Sequence, residues 1–176
     1  QFLEHTLLLN DVLLGLVIAL RAVPGAPLAE LPFRWLCEND DVLEFQALQR
    51  NTSILAKAIL KPDAILEIPG HRRRLFLEAE TGAHSIATAN PQAHGAVLQK
   101  LQRYTQYFTA LAGDGPATWY TLAFTDGFFP VLVFLVHSVA RRKRVERAVT
   151  EALGEQRDGR FRVRVLTFED AVPMLA

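Results

Sequence analysis

The chain predicts a mixed α/β layer fold, a central sheet flanked by helices, and three stretches carry that reading. Val131–Val136 is an unbroken apolar run, the pattern of a central strand buried on both faces. Arg160–Leu166 alternates Phe161, Val163 and Val165 with Arg160, Arg162 and Arg164, the period of a half-exposed strand. Ala93–Leu111 places Val97, Leu98, Leu101, Tyr104, Phe108 and Leu111 at spacings of mostly three or four, the stripe of an amphipathic helix. Strands and helices that alternate along a chain pack as layers around one core.

From the N-terminal side, a first helix is expected from near Leu9 to Ala22, capped by Asn10 or Asp11 and ended by Pro24-Gly25-Ala26-Pro27. Its apolar centre, Val12–Leu20, is about half the roughly 20 residues a membrane-spanning helix needs. It also lacks the basic flank and small-residue cleavage site of a signal peptide, so it reads as a buried helix. Leu31–Leu36 leads into Cys37–Phe45, a short helical or extended link. Two strands follow, Lys57–Ile68 and Arg72–Ala79, then a polar loop from Thr81 that carries His84 and His94. The amphipathic helix stops at Gly113-Asp114-Gly115-Pro116. Thr118–Phe124 and Pro130–His137 are apolar runs read as strands, separated by the Asp126-Gly127 turn signal. Arg141–Leu153 is a helix ended by Gly154, and Phe168–Leu175 adds a last short one. There is room for one more early strand.

The length, 176 residues, fits a single domain over 1–176, and 50% hydrophobic residues suffice for a full core. The formal net charge is zero, so nucleic acid would be met by local patches rather than by the whole surface. The single cysteine, Cys37, excludes an internal disulfide and a Cys-rich zinc site and fits a reducing, cytoplasmic setting. His5, His71, His84, His94 and His137 follow no metal-binding spacing. No Gly-rich phosphate loop, Gly-x-Ser-x-Gly elbow or zinc motif is present, which argues against NTPases, serine hydrolases and zinc enzymes.

Chemistry concentrates on the hairpin. Pro69-Gly70-His71-Arg72 is a breaker cluster of hairpin length, and a four-residue loop there pairs Ile68 with Arg73. Counting outward, Asp63 falls opposite Glu78, with cross-strand Cβ atoms about 5 Å apart. Glu78 and Glu80 share one strand face, roughly 6.6 Å apart. Carboxylates at that range repel unless a proton or cation intervenes, and a hard divalent ion such as Mg²⁺ suits an all-oxygen cluster. The plainer reading of such acids is a solvated hairpin face. The apolar flanks Ala64-Ile65-Leu66 and Leu75-Phe76-Leu77 weigh against it, because an acid on a central strand needs a partner.

The Lys61-Pro62-Asp63-Ala64 and Glu78-Ala79-Glu80 pair resembles the proline-aspartate and Glu-x-Lys motifs of the PD-(D/E)xK nuclease superfamily, which has a restriction-endonuclease-like sandwich with the hairpin at its centre. With Leu77-Glu78-Ala79-Glu80-Thr81-Gly82, Lys100-Leu101-Gln102-Arg103-Tyr104, the strand near Val131–Val136 and the helix start His5–Val12, the chain looks more specifically like the replication-relaxation family, linked to plasmid DNA replication, relaxation and mobilisation. The likeness runs from about His5 to Arg144. It implies plasmid DNA as partner and Mg²⁺ or Mn²⁺ as cofactor if the site is active. Asp63, Glu78 and the carbonyl of Ala79 would be metal ligands, and Glu80 or Lys100 would orient or deprotonate the attacking water. Two departures stand out. Glu80 replaces the motif's lysine, as in the Glu-x-Glu of some restriction enzymes of the superfamily; alternatively the lysine's role passes to Lys100. The family's DNA-binding winged helix is not seen, so a fragment of a longer protein is expected.

Lys100 and Tyr104, at i and i+4, share a helix face; the resemblance implies Lys100 at the centre and Tyr104 against DNA, and the pair is also an ordinary arrangement with no functional content. Glu38 and Glu44 are candidates for an additional acid. Arg72-Arg73-Arg74 and Arg141-Arg142-Lys143-Arg144, with Arg147, are local basic patches for DNA phosphates, or simply solvated faces. Cations at the start of a helix oppose its dipole, a local cost that points toward a phosphate. Arg160, Arg162 and Arg164 make a third stripe. Three functions stay open: a metal-dependent DNA endonuclease or nickase; a non-catalytic DNA-binding or assembly module; and a homodimerisation domain using apolar surface around Phe128 and Phe129.

Overall fold

Pro62 divides what the sequence presents as one long strand. The computed structural model describes residues 2–21, 33–37, 42–48, 55–80, 97–154 and 159–175. In it β1 (Arg34–Cys37), β2 (Leu43–Leu48), β3 (Leu55–Leu60), β4 (Ala64–Ile68) and β5 (Arg73–Glu80) precede β6 (Phe129–Val136) and β7 (Arg162–Thr167). A proline has no N–H to give a ladder and restricts the residue before it. The ladder therefore breaks at Lys61-Pro62-Asp63. β3 pairs with β2 in a two-stranded sheet, and β4 begins the hairpin with β5 in another.

The main sheet has five strands in the order β1-β4-β5-β6-β7. The β1–β4 and β4–β5 pairs are antiparallel, whereas β5–β6 and β6–β7 are parallel. Parallel neighbours need crossovers, and helices supply them. α1 (Phe2–Arg21) precedes β1; α2 (Val97–Thr109) and α3 (Trp119–Ala123) lie between β5 and β6; α4 (Val139–Leu153) joins β6 to β7; α5 (Phe168–Leu175) follows. Two early strands, β1 and β2, stand where room for one was expected. Two expectations change. Thr118–Phe124 is helical, because Thr118 and Thr121 form a reciprocal capping box that starts α3. The first helix starts at Phe2, so Asn10 and Asp11 lie inside it and do not cap it.

Two cores sandwich the sheet. On one face Phe76, Leu132, Phe134 and Val136 pack against Leu101, Tyr104 and Phe108 of α2 and Val145 of α4. On the other, Leu75, Leu77, Val131, Val133 and Leu135 pack with Val12 and Leu16 of α1 and Ala171 of α5. Alternate side chains of β6 thus enter opposite cores, which explains why its sequence is apolar without alternation. Among the described residues, no helix is long and apolar enough to cross a membrane.

The α1–α5 contact depends on Gly15. A Cβ there would lie 2.5 Å from Val172 Cγ2, a stiff branched side chain. Gly15→Leu is expected to destabilise by about 1–3 kcal/mol through overpacking. Adding Val172→Ala should recover part of the loss, read by urea unfolding. A double variant no better than Gly15→Leu alone would show that the clash lies elsewhere.

Candidate active site at the carboxyl ends of the central strands

The β4–β5 turn sets the geometry. Pro69–His71 makes one 3₁₀ turn, Arg72 takes a left-handed φ of 49°, and Ile68 pairs with Arg73 as the loop length predicts. The ladder runs out to Ala64 opposite Leu77, and the Asp63 N–H donates to Leu77 O at 3.1 Å. Asp63 is thus carried to the level of Glu78. One Asp63 carboxylate oxygen accepts the Ala79 N–H at 2.7 Å.

Glu78 and Glu80 point from β5 toward α2, on the face that also carries Phe76. Both are buried, Glu80 completely. Lys100, in the first turn of α2, reaches between them, with Nζ 2.6 Å from Glu78 Oε2 and 3.2 Å from Glu80 Oε1. One turn on, the Tyr104 hydroxyl donates to Glu78 Oε1 at 2.6 Å. Arg141, in the first turn of α4, sets Nη2 3.9 Å from Glu80 Oε2. Three carboxylates therefore face two cations where β5 and β6 end and α2 and α4 begin. In α/β sheets this strand edge is the usual location of ligand sites.

Burial pushes the Glu78 carboxyl up to about 7, against the pull of the Lys100 ammonium, which lowers it; the Asp63 charge raises it further. The three neighbouring acids hold Lys100 firmly protonated despite its burial. Burial, with the Glu78 charge next, pushes the Tyr104 phenol well above its usual value, so it remains a donor.

Compared with protein-family models, curated proteins and solved structures, this chain matches none. The site is therefore read from its own chemistry. Two carboxylates, Asp63 and Glu78, flank the Ala79 peptide. The Ala79 N–H faces Asp63, and a strand residue's carbonyl points to the same side as its N–H. One or two carboxylates with a carbonyl and water suit Mg²⁺, so the donors fit such an ion in kind. Among the described residues no three His, Cys, Asp or Glu side chains stand together as a ligand set. Lys100 already lies against Glu78 Oε2, so an ion bound through that oxygen would compete with the ammonium.

The remaining candidates divide. Lys100 belongs to the centre. Tyr104, expected to touch DNA, is instead 1% exposed, with its hydroxyl on Glu78. Arg74, also expected on a DNA surface, is 2% exposed. Its guanidinium binds Glu67 Oε1 through Nε at 2.9 Å and Nη2 at 2.6 Å, and Asp126 Oδ2 at 2.7 Å. Its Cζ stands 3.7 Å from the centre of the Phe124 ring. Arg72 and Arg73 are exposed, at the far end of β5, roughly 23 Å from Glu80 at 3.3 Å per residue. Arg142 is tied to Asp170 at 2.8 Å, while Lys143 and Arg144 are exposed. Glu44 is exposed and paired with Lys57 on the β2–β3 sheet, and Glu38 lies outside the described residues. Phe128 and Phe129 are only partly exposed: Arg74 lies over the first ring and Arg162 over the second. They do not form the bare apolar patch expected for a dimer contact.

Sequence reasoning missed the Glu67–Arg74 pair and the inward turn of Arg141. The first was within reach, since the register that sets Ile68 opposite Arg73 also sets Glu67 opposite Arg74. The second had no signal, because four consecutive cations look alike until α4 has a phase.

Proposed function

We propose that this chain is a DNA-binding, nuclease-fold domain of the replication-relaxation kind, whose acidic centre hydrolyses phosphodiesters with Mg²⁺ or Mn²⁺. The observation that carries this reading is the delivery of Lys100 from α2 between Glu78 and Glu80, level with Asp63. An ammonium thereby reaches the acidic centre although Glu80 occupies the lysine position of the motif. The order of the five strands, with the β4–β5 hairpin inside the sheet, supports the same fold.

Asp63, Glu78 and the Ala79 carbonyl would hold the metal. When bound, such an ion acidifies a water and draws charge from the phosphate in the transition state. The protein's own groups do the rest. Tyr104 fixes one oxygen of Glu78 and so sets the carboxylate plane. Lys100 places a permanent positive charge beside the acids, where charge grows on the phosphate. Glu78, whose carboxyl stands near 7 without a metal, would have to be ionised to hold one, so loading the ion favours its charged form. Lys143 and Arg144 offer exposed charge on α4, on the helix that also carries Arg141, for neighbouring phosphates.

One observation favours a second reading. The Lys100–Glu78 bond already satisfies the centre with a built-in cation, as a non-catalytic DNA-binding or assembly module would. Supercoiled plasmid incubated with Mn²⁺ separates the two. The first reading expects nicked circles, lost in Asp63→Asn, together with Mn²⁺ binding seen by water-proton relaxation and weakened in the same variant. DNA binding without nicking, and with no Mn²⁺ uptake, would establish the second.

A further inference from the structure

We propose that Arg141 is a phosphate ligand of this centre, aimed by Glu80, and that it is distinct in role from the basic run it opens. The inference rests on the nucleic-acid reading above and adds to it the residue that meets the anion. Of the cations Arg141, Arg142, Lys143 and Arg144, the first is the one seen to approach an acid of β5, whereas Arg142 turns to Asp170 beyond β7. The Arg141 side chain is 13% exposed, against 30% for Arg142, which is paired with Asp170 and Glu146. Lys143 and Arg144 face solvent.

Three physical features set Arg141 apart. It lies three residues after the Ser138 cap, whose hydroxyl accepts the Arg141 N–H at 3.2 Å, so its charge opposes the dipole of α4 at close range. Glu80, with Oε2 3.9 Å from Arg141 Nη2, is an acid that offsets part of that cost. At 3.9 Å the approach is too long for a hydrogen bond and acts as an orienting attraction. Glu80 is also shared, since Lys100 approaches its other oxygen at 3.2 Å. Two cations thus converge on one carboxylate at the carboxyl ends of β5 and β6. A guanidinium carries five donors in a planar fork suited to phosphate oxygens. A phosphate of bound DNA reaching this edge meets Arg141 beside Lys100, whose side chains are 13% and 18% exposed.

The plain alternative is that Arg141 only neutralises Glu80. Binding of a fluorescent 16-base-pair duplex to the whole chain in EDTA, over a series of salt concentrations, separates the two roles without requiring cleavage. Arg141→Gln leaves Glu80 without that partner, so the double variant Glu80→Gln with Arg141→Gln, which removes both charges, guards against loss of folding; thermal unfolding monitors each protein. The expected result is a slope of log Kd against log salt that falls by about 1 in both variants, one phosphate contact fewer. Arg141→Lys should restore the slope. If the wild-type chain binds and both variants keep its slope and affinity, the phosphate role is overturned while the acidic centre stands. A wild-type chain that binds no duplex at any salt concentration overturns the nucleic-acid reading, and this inference with it.

Discussion

Arg74→Ala is expected to lower the unfolding free energy by about 3–5 kcal/mol, the cost of leaving one member of a buried ion pair alone. Glu67 is 5% exposed and loses two charge-assisted bonds, at 2.9 and 2.6 Å. Asp126 loses its bond at 2.7 Å, and the Phe124 ring loses the cation on its face. Arg34 Nη1 stays 3.2 Å from Glu67 Oε2, but its side chain is 70% exposed and contributes little. The effect therefore belongs toward the lower end of the range, a fall in melting temperature of roughly 6–12 °C for a domain of this size. Glu67→Leu combined with Arg74→Met should regain most of the loss, because removing both charges leaves none stranded. Urea unfolding of the three proteins tests this. A single variant within 1 kcal/mol of wild type would show that water reaches Glu67 in the native state. Because these groups stand at the opposite end of β5 from Glu80, any nicking activity should persist in the folded double variant.

That pair shows where sequence reading succeeds and where it stops. Register is legible because it follows from a countable loop: Pro69–Arg72 fixes Ile68 against Arg73, and with it the level of Asp63 beside Glu78. Central strands are legible because burial on both faces leaves an apolar run, as in Val131–Val136. Thr118–Phe124 was misjudged because its apolar content says nothing about period over so short a length, and the Thr118–Thr121 cap decides it as a helix. The break at Pro62 was written in the sequence, but its consequence, a second sheet made by β2 and β3 with Phe45 packed on Tyr107, rests on long-range packing that local pattern does not carry. At the site, residue types and strand faces were predictable. The rotation of α2 that brings Lys100 and Tyr104 onto Glu78 was available as an i, i+4 pair. The pairing of Arg74 with Glu67 followed from the register, but its burial was hidden, since three successive arginines look like a solvated run until the strand turns the last of them inward.

Lys100→Met is expected to destabilise in a pH-dependent way, and the sign follows from Glu78. Its carboxyl stands near 7 in the folded chain, above its ordinary 4.5, so the native state holds a proton that the unfolded chain has released. Stability therefore falls as pH rises from about 4.5 to about 7, and the cost of the buried charge is fully present above that window. Lys100 opposes this by favouring the ionised form. Its own proton is held more firmly than in the unfolded chain, a stabilisation present below the ordinary lysine value of 10.5 and lost as pH rises beyond it. Without the ammonium, Glu78 keeps only the Tyr104 bond and the repulsion of Asp63, so its carboxyl moves above 7 and the sensitive window extends upward. At pH 8.5 the loss should be about 3–5 kcal/mol, as for a broken buried pair. At pH 5.5, where Glu78 is mostly protonated in both proteins, it should be clearly smaller. Urea titrations at the two pH values decide the point, and equal losses at both would mean that Lys100 and Glu78 are not coupled. Glu78→Gln in the Lys100→Met background should reduce the pH dependence, because the carboxyl nearest the missing ammonium then no longer titrates, although Glu80 stays buried beside the gap. The same pair governs the chemistry proposed above: a centre that has lost the ammonium between Glu78 and Glu80, with only Arg141 of its two described cations left, should lose nicking even at pH 5.5, where the loss of stability is smaller.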